Sequence, residues 1–203
     1  MTTKALATPK IGRPRAFDAE KALECALKVF WQKGYEGTSL SDLTDAMGIN
    51  RPSLYAAFGN KEDLFRKAIE RYIEKRATFI NKAIEAPTAR AVVEQLLNGV
   101  VDMYGDPRNP RGCLMVHGAL SCGEDADPIR KELAARRAAG EEKIRTRLER
   151  AITEGDLPAS ANAADLARFI TTVVQGMAVQ ATGGATTADL RRVVQIALRA
   201  WPK

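Results

Sequence analysis

The chain has 203 residues, a formal net charge of +6 at pH 7 and a sequence pI near 9.3. It therefore suits an anionic partner and is long enough for one large or two small domains. No apolar run approaches the roughly 18 residues that span a bilayer, and Met1 to Lys10 lack the hydrophobic stretch of a signal peptide. The three cysteines, an odd number spread along the chain, argue against a disulfide framework. These features predict a cytoplasmic protein that has no membrane partner.

A basic arm and one helix are the first elements predicted along the chain. Residues 1–17 contain four Lys or Arg side chains and no acid, and we expect them to form a flexible arm. Asp18 is placed to cap a helix. The apolar side of this helix repeats with the helical period and consists of Leu23, Ala26, Leu27 and Phe30. We expect it to pack on the helices that follow.

The next residues predict a short helix that ends in a tight turn. Ser39 can cap this helix. Its apolar side has the i, i+3, i+7 spacing of one helical face and consists of Leu40, Leu43 and Met47. Gly48 can adopt the positive φ that ends the helix.

A second short helix follows the turn. Asn50 can cap it, and Pro52 falls within its first turn, where the missing N–H costs nothing. Leu54 and Phe58, four residues apart, give it a narrow buried side. Together the two helices have the pattern of a helix-turn-helix, whose second helix enters the major groove of DNA by its N-terminal residues.

The order and spacing of these features resemble the TetR family of bacterial transcriptional regulators. The similarity covers about the first 75 residues and is carried by glycines, aromatic residues and helix caps. In chain order these are Gly12-Arg13-Pro14-Arg15, Phe30, Gly34-Tyr35-Glu36-Gly37-Thr38-Ser39, Gly48-Ile49, Leu54-Tyr55, Phe58 and Asn60-Lys61-Glu62-Asp63-Leu64-Phe65. The resemblance implies a homodimer that binds a double-stranded DNA operator of inverted-repeat symmetry and responds to a small-molecule effector.

The predicted DNA-binding surface is not a basic patch. Residues 39–60 hold one arginine and two aspartates, a net charge of −1. We therefore expect phosphate contacts from polar side chains, helix N-termini and neighbouring cations. Ala56 and Ala57 stand where many relatives carry a His or Tyr pair, which places more weight on Tyr55 and Lys61.

Individual DNA contacts can be assigned from these positions. Arg13 and Arg15 either follow a narrow minor groove or belong to a disordered solubilising tail. Arg51 and Ser53 open the second helix and are expected at base edges, whereas Lys61 is expected at a phosphate or, alternatively, as a solvated surface cation. The full set of predicted DNA-binding residues is Arg13, Arg15, Thr38, Ser39, Asn50, Arg51, Pro52, Ser53, Tyr55 and Lys61.

The remainder of the chain predicts further helices and no strand. Asn60 opens a long helix that is unbroken until Pro87, and in the resembled family this helix links the two domains. A short apolar helix is expected from Gly112 to Leu120. We predict an all-α fold of about nine helices. The predicted parts are a basic arm at 1–17, a helix-turn-helix DNA-binding domain at 18–64 and a helical effector-binding and dimerisation domain at 65–203.

The last two long helices have apolar faces that cover more than one side. A monomer would leave part of this surface exposed, whereas a symmetric dimer would bury it, and in the resembled family these helices form a four-helix bundle between subunits. The alternative is ordinary packing within one subunit. The predicted interface residues are Val174, Met177, Ala178, Val194, Ala197 and Leu198.

The resemblance also places a ligand cavity among the middle helices of the second domain. The candidate residues mix apolar surface with a few hydrogen-bonding groups, as small-molecule pockets do; the alternative is that most are plain core. They are Phe79, Met103, Tyr104, Cys113, His117, Phe169, Val173 and Gln175. His117 is the only histidine, and we expect its ring nitrogens to find partners at the cavity.

Patterns for catalysis or metal binding are sparse. The sequence has no Gly-x-Ser-x-Gly, phosphate-loop, Cys-x-x-Cys or His-Glu-x-x-His motif, so we predict neither an enzyme nor a cofactor. Cys113 and His117, one helical turn apart, could in principle ligate a metal, but a site needs three or four ligands and only Cys122 is nearby. We therefore predict no metal site. Cys113 follows Arg111 at a predicted helix start, and both features favour a thiolate. A thiol-based redox or electrophile sensor is therefore an alternative to simple ligand binding.

These observations favour a dimeric, sequence-specific repressor that a small molecule releases from its operator, and an activator is an open alternative. An architectural DNA-binding protein would need broad basic surfaces. Residues 77–203 hold 17 cations against 15 anions, too balanced a charge to wrap DNA. The sequence does not identify the operator or the effector.

Overall fold

A computed structural model of the protein describes residues 17–120 and 122–202. Within these residues the fold is a succession of nine α-helices without a strand, which confirms the predicted all-α class. The helices are α1 (Ala19–Lys33), α2 (Leu40–Met47), α3 (Arg51–Phe58), α4 (Lys61–Ile84), α5 (Ala89–Gly105), α6 (Leu114–His117), α7 (Asp127–Thr153), α8 (Ala163–Thr182) and α9 (Thr187–Arg199). The predicted arm contacts Arg13 and Arg15 lie outside the described residues.

Helices α2 and α3 begin and end at the residues that cap them. The Ser39 hydroxyl accepts a 3.0 Å hydrogen bond from the backbone N–H of Asp42, and the Asn50 side chain accepts one of 2.9 Å from the N–H of Ser53. Gly48 ends α2 with a φ of 66°, in the left-handed region that favours glycine. Because these caps involve residues at most three positions apart, they follow directly from the local sequence.

Helix α4 connects the first three helices to the rest of the fold. It packs against α1, and it also contacts α5, α6 and α7. Aromatic rings fill its contact with α1: Phe30 meets Phe65 edge-on with centroids 4.9 Å apart, and Trp31 meets Tyr72 edge-on at 4.7 Å. The predicted domain boundary after residue 64 falls within the first turn of α4 and stays a prediction.

Helices α5 to α9 form the second half of the fold. Helix α5 packs against α9, α7 packs against α8, and α8 also contacts α5 and α9. Arg147 of α7 is buried and donates hydrogen bonds to the backbone oxygens of Ile84 at 3.0 Å and Ala86 at 2.8 Å. These bonds satisfy carbonyl groups at the end of α4, where a helix has no partners of its own. None of the described helices is long and apolar enough to cross a membrane.

The short helix predicted from Gly112 to Leu120 is shorter than expected, since only Leu114–His117 is helical. Tertiary hydrogen bonds hold both of its flanks. The carbonyl oxygen of Gly112 accepts a bond from Trp31 Nε1 at 3.2 Å, and that of Gly118 accepts one from the backbone N–H of Tyr35 at 2.7 Å. Both flanks of α6 are therefore tied to α1 and the turn after it.

Candidate DNA-binding face and ligand cavity

The outer side of α3 is set by the two residues that the helix buries. Leu54 and Phe58 lie in the core and fix the rotation of the helix about its axis. The opposite side is open to solvent and carries Arg51, Pro52 and Tyr55. Tyr55 is 48% exposed. An exposed aromatic beside a cation is a surface that a partner can use.

Arg51 and Asn50 have different environments at the start of α3. Arg51 is exposed, and its Nη2 donates a 3.1 Å hydrogen bond to the hydroxyl of Ser41 in α2. The side-chain oxygen of Asn50 accepts a hydrogen bond from the backbone N–H of Ser53, so Asn50 serves as the N-terminal cap of α3. Ser53 itself is half-buried. Of the residues predicted at base edges, Arg51 has the more accessible side chain.

The structure separates Thr38 from Ser39. Thr38 is only 1% exposed, and its hydroxyl donates a 2.6 Å hydrogen bond to the carbonyl oxygen of Gly34. Its hydroxyl is therefore satisfied within the turn after α1, and a DNA contact by Thr38 stays a prediction. Ser39 is exposed and donates from its hydroxyl to the carboxylate of Asp42 at 2.8 Å, so it stays a candidate at the start of α2.

Lys61 lies at the start of α4, as predicted, but it has an aromatic partner. Its Nζ is 4.5 Å from the centroid of the Tyr35 ring, a distance typical of a cation–π contact. Partial burial lowers the pKa of Lys61, and the charge of Glu36 opposes that effect. The ring positions the ammonium group at the first turn of α4, where a phosphate would also meet the positive end of the helix.

A cavity of about 380 Å³ lies in the second half of the fold. It is bounded by α4, α5, α7, α8 and the segment around α6. Five of the eight predicted effector residues line it, namely Phe79, Met103, Tyr104, Cys113 and Gln175. Much of the remaining wall is apolar and includes Ile73, Ile80, Val100, Ile144, Ile170 and Val174. Its volume is within the range of about 300–1,000 Å³ found for small-molecule sites.

Three predicted effector residues do not line this cavity. His117 belongs to a separate cleft beside Trp31, where its Nε2 lies 2.8 Å from the hydroxyl of Thr182. Cys113 and His117 do not share a face, because Cys113 precedes α6 in an extended conformation and only His117 is helical. Phe169 and Val173 are also outside the cavity. The side of α8 that faces the cavity carries their neighbours Ile170 and Val174.

Several polar cavity residues were missed by the sequence reasoning. They are Tyr72, Arg76, Arg136, Arg137, Glu141 and Thr171. Tyr72 and Arg76 precede the predicted Phe79 at the i, i+4, i+7 spacing of one helical face, so the period of α4 could have indicated them. No local signal marks Arg136 and Arg137, because their position depends on how α7 packs.

Cys113 is a buried thiol enclosed by polar groups of α4. The Tyr72 hydroxyl donates to its sulfur at 3.1 Å and accepts the N–H of Leu114 at 3.0 Å, and Arg76 Nη1 donates to the sulfur at 3.4 Å. Burial is the largest influence on the thiol and raises its pKa, but the charge of Arg76 and these hydrogen bonds together lower the pKa below its ordinary value. The cation that acts on Cys113 is thus Arg76, and the predicted neighbour Arg111 is exposed.

The predicted dimer residues do not form the outer surface of α8 and α9. Met177, Ala178, Val194 and Ala197 are buried within the subunit, Val174 lines the cavity and Leu198 is half-buried against the core. The predicted interface residues lie on the inward sides of α8 and α9. Because both sides of each helix are apolar, the sequence did not distinguish the inward side from the outward side. The exposed large apolar residues of these two helices are Phe169, Val179, Val193 and Ile196, which we call the α8–α9 apolar face.

A helix-turn-helix at one end and a cavity-bearing helical domain at the other define the class of ligand-responsive DNA-binding regulators. Two family models match the chain, "Bacterial regulatory proteins, tetR family" over residues 22–68 and "Tetracyclin repressor-like, C-terminal domain" over residues 87–197. The chain therefore belongs to the TetR family of transcriptional regulators, as the sequence resemblance implied.

Individual relatives agree with this assignment. The transcriptional repressor ComR of Escherichia coli K12 is 34% identical over 194 residues, which cover 95% of this chain and 92% of ComR. The repressor BdcR of the same organism is 34% identical over 125 residues, 61% of each chain. A cysteine mutant of the TetR family regulator CifR, solved with 26-base-pair double-stranded operator DNA, is 44% identical, covers 94% of this chain and all of its own, and superposes with a TM-score of 0.90.

Proposed function

We propose that this protein is a dimeric repressor that reads an inverted-repeat operator with α3 and leaves it when an effector occupies the cavity of the second domain. The observation that carries the proposal is the exposed side of α3, with Arg51 and Tyr55 above the buried Leu54 and Phe58. The CifR relative was solved on operator DNA, which supports the same partner here. Such a protein acts in the cytoplasm, where bacterial DNA is.

The proposed DNA contacts divide into base and phosphate contacts. Arg51 and Ser53, at the start of α3, are assigned to base edges, and Pro52 and Tyr55 pack along the groove. Ser39 and Lys61, at the first turns of α2 and α4, are assigned to phosphates. Asn50 positions α3 as its cap, and Arg13 and Arg15 are proposed contacts outside the described residues.

The proposed dimer uses the α8–α9 apolar face. Val179 is 51% exposed and Ile196 64% exposed, and a second copy of the chain would bury both by a two-fold contact. Gly176 lies on the same side of α8, and a side chain there would meet no atom within 4 Å, so a partner helix can approach closely. The dimer would hold two copies of α3 about 34 Å apart or a multiple of it, one DNA turn.

The proposed effector response needs a physical connection between the cavity and α1. The segment around α6 provides one, because Cys113 lines the cavity while Gly112 and Gly118 accept hydrogen bonds from Trp31 and Tyr35. An effector that prefers a different arrangement of this segment weakens DNA binding by its differential affinity for the two states, typically ~1–3 kcal/mol.

Selection of bound sequences from a random DNA library tests the proposal. We expect enrichment of a two-fold symmetric site, with a protein dimer bound to each site in sedimentation. Enrichment of an asymmetric site would contradict the dimeric arrangement, and binding without sequence preference would support an architectural protein instead. Turnover of a small molecule by the purified protein would support an enzyme instead.

A further inference from the structure

The strongest chemical feature outside the DNA-binding face is the group around Cys113. Three elements contribute to it: Tyr72 and Arg76 from α4, Tyr104 from α5 and Cys113 itself before α6, all of which line one cavity. The sulfur accepts hydrogen bonds from Tyr72 and Arg76. Its position in the cavity wall gives a molecule inside the cavity access to the thiol, although Cys113 is buried from bulk solvent.

Arg76 is a cation that lacks a carboxylate partner. Among residues 17–120 and 122–202, every ion pair of an arginine or lysine with an acid involves some other cation, and the Nη2 of Arg76 is buried without a hydrogen-bond partner. Its guanidinium carbon lies 3.5 Å from the centroid of the Tyr72 ring. A cation in such surroundings is stabilised by an anion nearby, and the anion that the geometry offers is a Cys113 thiolate.

A second cation, Arg137, lines the same cavity as this sulfur. Arg137 of α7 donates a 2.5 Å hydrogen bond to the carbonyl oxygen of Met115, two residues after Cys113. Burial lowers the pKa of Arg137, and the negative charge of a Cys113 thiolate opposes this effect. Arg76 thus compensates a Cys113 thiolate directly, and Arg137 adds a positive charge to the same cavity. An electropositive environment of this kind is typical of reactive cysteines.

We propose that Cys113 captures electrophilic effectors of the α,β-unsaturated carbonyl class, and that removal of its negative charge from Arg76 is the signal that releases DNA. This inference rests on the proposed function and names the effector class of its cavity. The largely apolar wall selects a molecule that has an aliphatic body, and the thiolate selects one that has an activated carbon–carbon double bond.

The reaction is a conjugate addition. The thiolate sulfur forms a bond to the β-carbon, the π electron pair moves to give an enolate, and the enolate takes a proton from water, leaving hydroxide. No oxidant or reductant is required, and the product is a neutral thioether. Arg76 then lacks its anion, and because Arg76 belongs to α4, the helix that packs on α1, the loss acts on the element that carries the DNA-binding half.

The experiment uses the full-length double variant Cys25→Ser with Cys122→Ser, in which Cys113 is the only thiol. This variant is first tested for operator binding, which checks the proposed function independently. It is then treated with 1-octen-3-one, and the saturated 3-octanone is the matched control. We expect intact-mass spectrometry to show one enone adduct per chain, and operator affinity to fall by at least about fivefold with the enone alone.

Three results would overturn the proposal: no adduct on a protein that still binds the operator, an adduct that leaves operator affinity unchanged, or equal release by the saturated ketone. The last result would identify a reversible ligand site instead. The variant Arg76→Met provides a second measurement, because it leaves Cys113 in place. We expect its reaction with the enone to be at least about tenfold slower, because loss of the Arg76 charge lowers the fraction of Cys113 present as thiolate, and an unchanged rate would exclude the Arg76–thiolate pair.

Discussion

Trp31 and Gly112 are joined by a hydrogen bond across 81 positions of the chain. The indole Nε1 of Trp31 donates to the carbonyl oxygen of Gly112 at 3.2 Å, in a buried setting. Trp31 is in α1, the helix that supports the helix-turn-helix, and Gly112 immediately precedes Cys113 in the cavity wall. The bond therefore connects the two functional halves of the molecule directly.

The variant Trp31→Phe should weaken the coupling between these halves. It retains an aromatic ring against Tyr72 but leaves the Gly112 oxygen without its donor, which costs about 1–3 kcal/mol of unfolding free energy. We expect denaturant unfolding to show this loss, and the effector-induced change in operator affinity to become smaller. Gln32→Ala, an exposed neighbour on α1, is the control. An undiminished effector response would mean that the signal passes through α4 or through the bond between Tyr35 and Gly118.

Arg51→Ala should reduce operator affinity by about 1–3 kcal/mol and relax the base preference at one position in each half-site. The side chain is exposed at the start of α3, and its described contact is the Ser41 hydroxyl, so little stability should be lost. Binding to a set of single-base operator variants measures the effect, with Lys82→Ala, an exposed cation near the end of α4, as the control. A uniform loss across all sequences would instead assign Arg51 to a phosphate.

Lys61→Met should weaken specific and non-specific DNA binding alike and reduce the salt dependence of binding by about one ion. Methionine can still cover the Tyr35 ring, so the variant removes the charge and keeps the contact. Titrations of operator and random DNA at several salt concentrations give the slope, and Lys61→Arg should restore it. If the slope of the methionine variant equals that of the wild type, Lys61 serves only the packing on Tyr35.

Ile196→Glu should dissociate the proposed dimer, because the dimer would bury a charge on the α8–α9 apolar face. Ile196 is exposed in the single subunit, so the fold of the monomer should survive. Sedimentation would report a monomer, and affinity for the two-fold operator should fall accordingly. Leu120→Glu changes another exposed apolar residue away from this face, and should stay dimeric. A dimeric Ile196 variant would place the interface elsewhere.

The helix-turn-helix should lose stability in acid through Asp42. The Nζ of Lys33 donates to the Asp42 carboxylate at 2.6 Å, and together with the bonds from Ser39 this lowers the pKa of Asp42 from 3.8 to about 2. A carboxylate with a lowered folded-state pKa stabilises the fold above its unfolded pKa and loses that contribution as the pH falls through the folded value.

We therefore expect the stability of the wild type to decline relative to Asp42→Asn as the pH is lowered from 3.8 toward about 2. Denaturant unfolding at a series of pH values measures the difference between the two proteins. Asp45→Asn, which alters an exposed aspartate of the same helix, is the control. Parallel pH profiles for wild type and Asp42→Asn would show that the contacts from Lys33 and Ser39 do not lower the pKa of Asp42 in solution.

The sequence alone determined the helical class, the helix-turn-helix and the residues at the start of its second helix. Ser39, Gly48 and Asn50 act on groups at most a few residues away, and the apolar period of α3 sets which side it buries, so short-range patterns were sufficient. Thr38 shows the limit of this reasoning, because its cap-like position did not reveal that its hydroxyl bonds back to Gly34.

Only the tertiary structure decided how the apolar sides of α8 are used. Val174 lines the cavity, Met177 is buried in the core and Val179 is exposed, although all three are similar apolar residues on one helix. Likewise, the importance of Arg76 depends on Cys113, 37 positions later. Successive residues of a helix differ by about 100° in direction, so a helix that is apolar on most sides does not specify which stripe meets which neighbour. That choice is made by packing against elements distant in the chain.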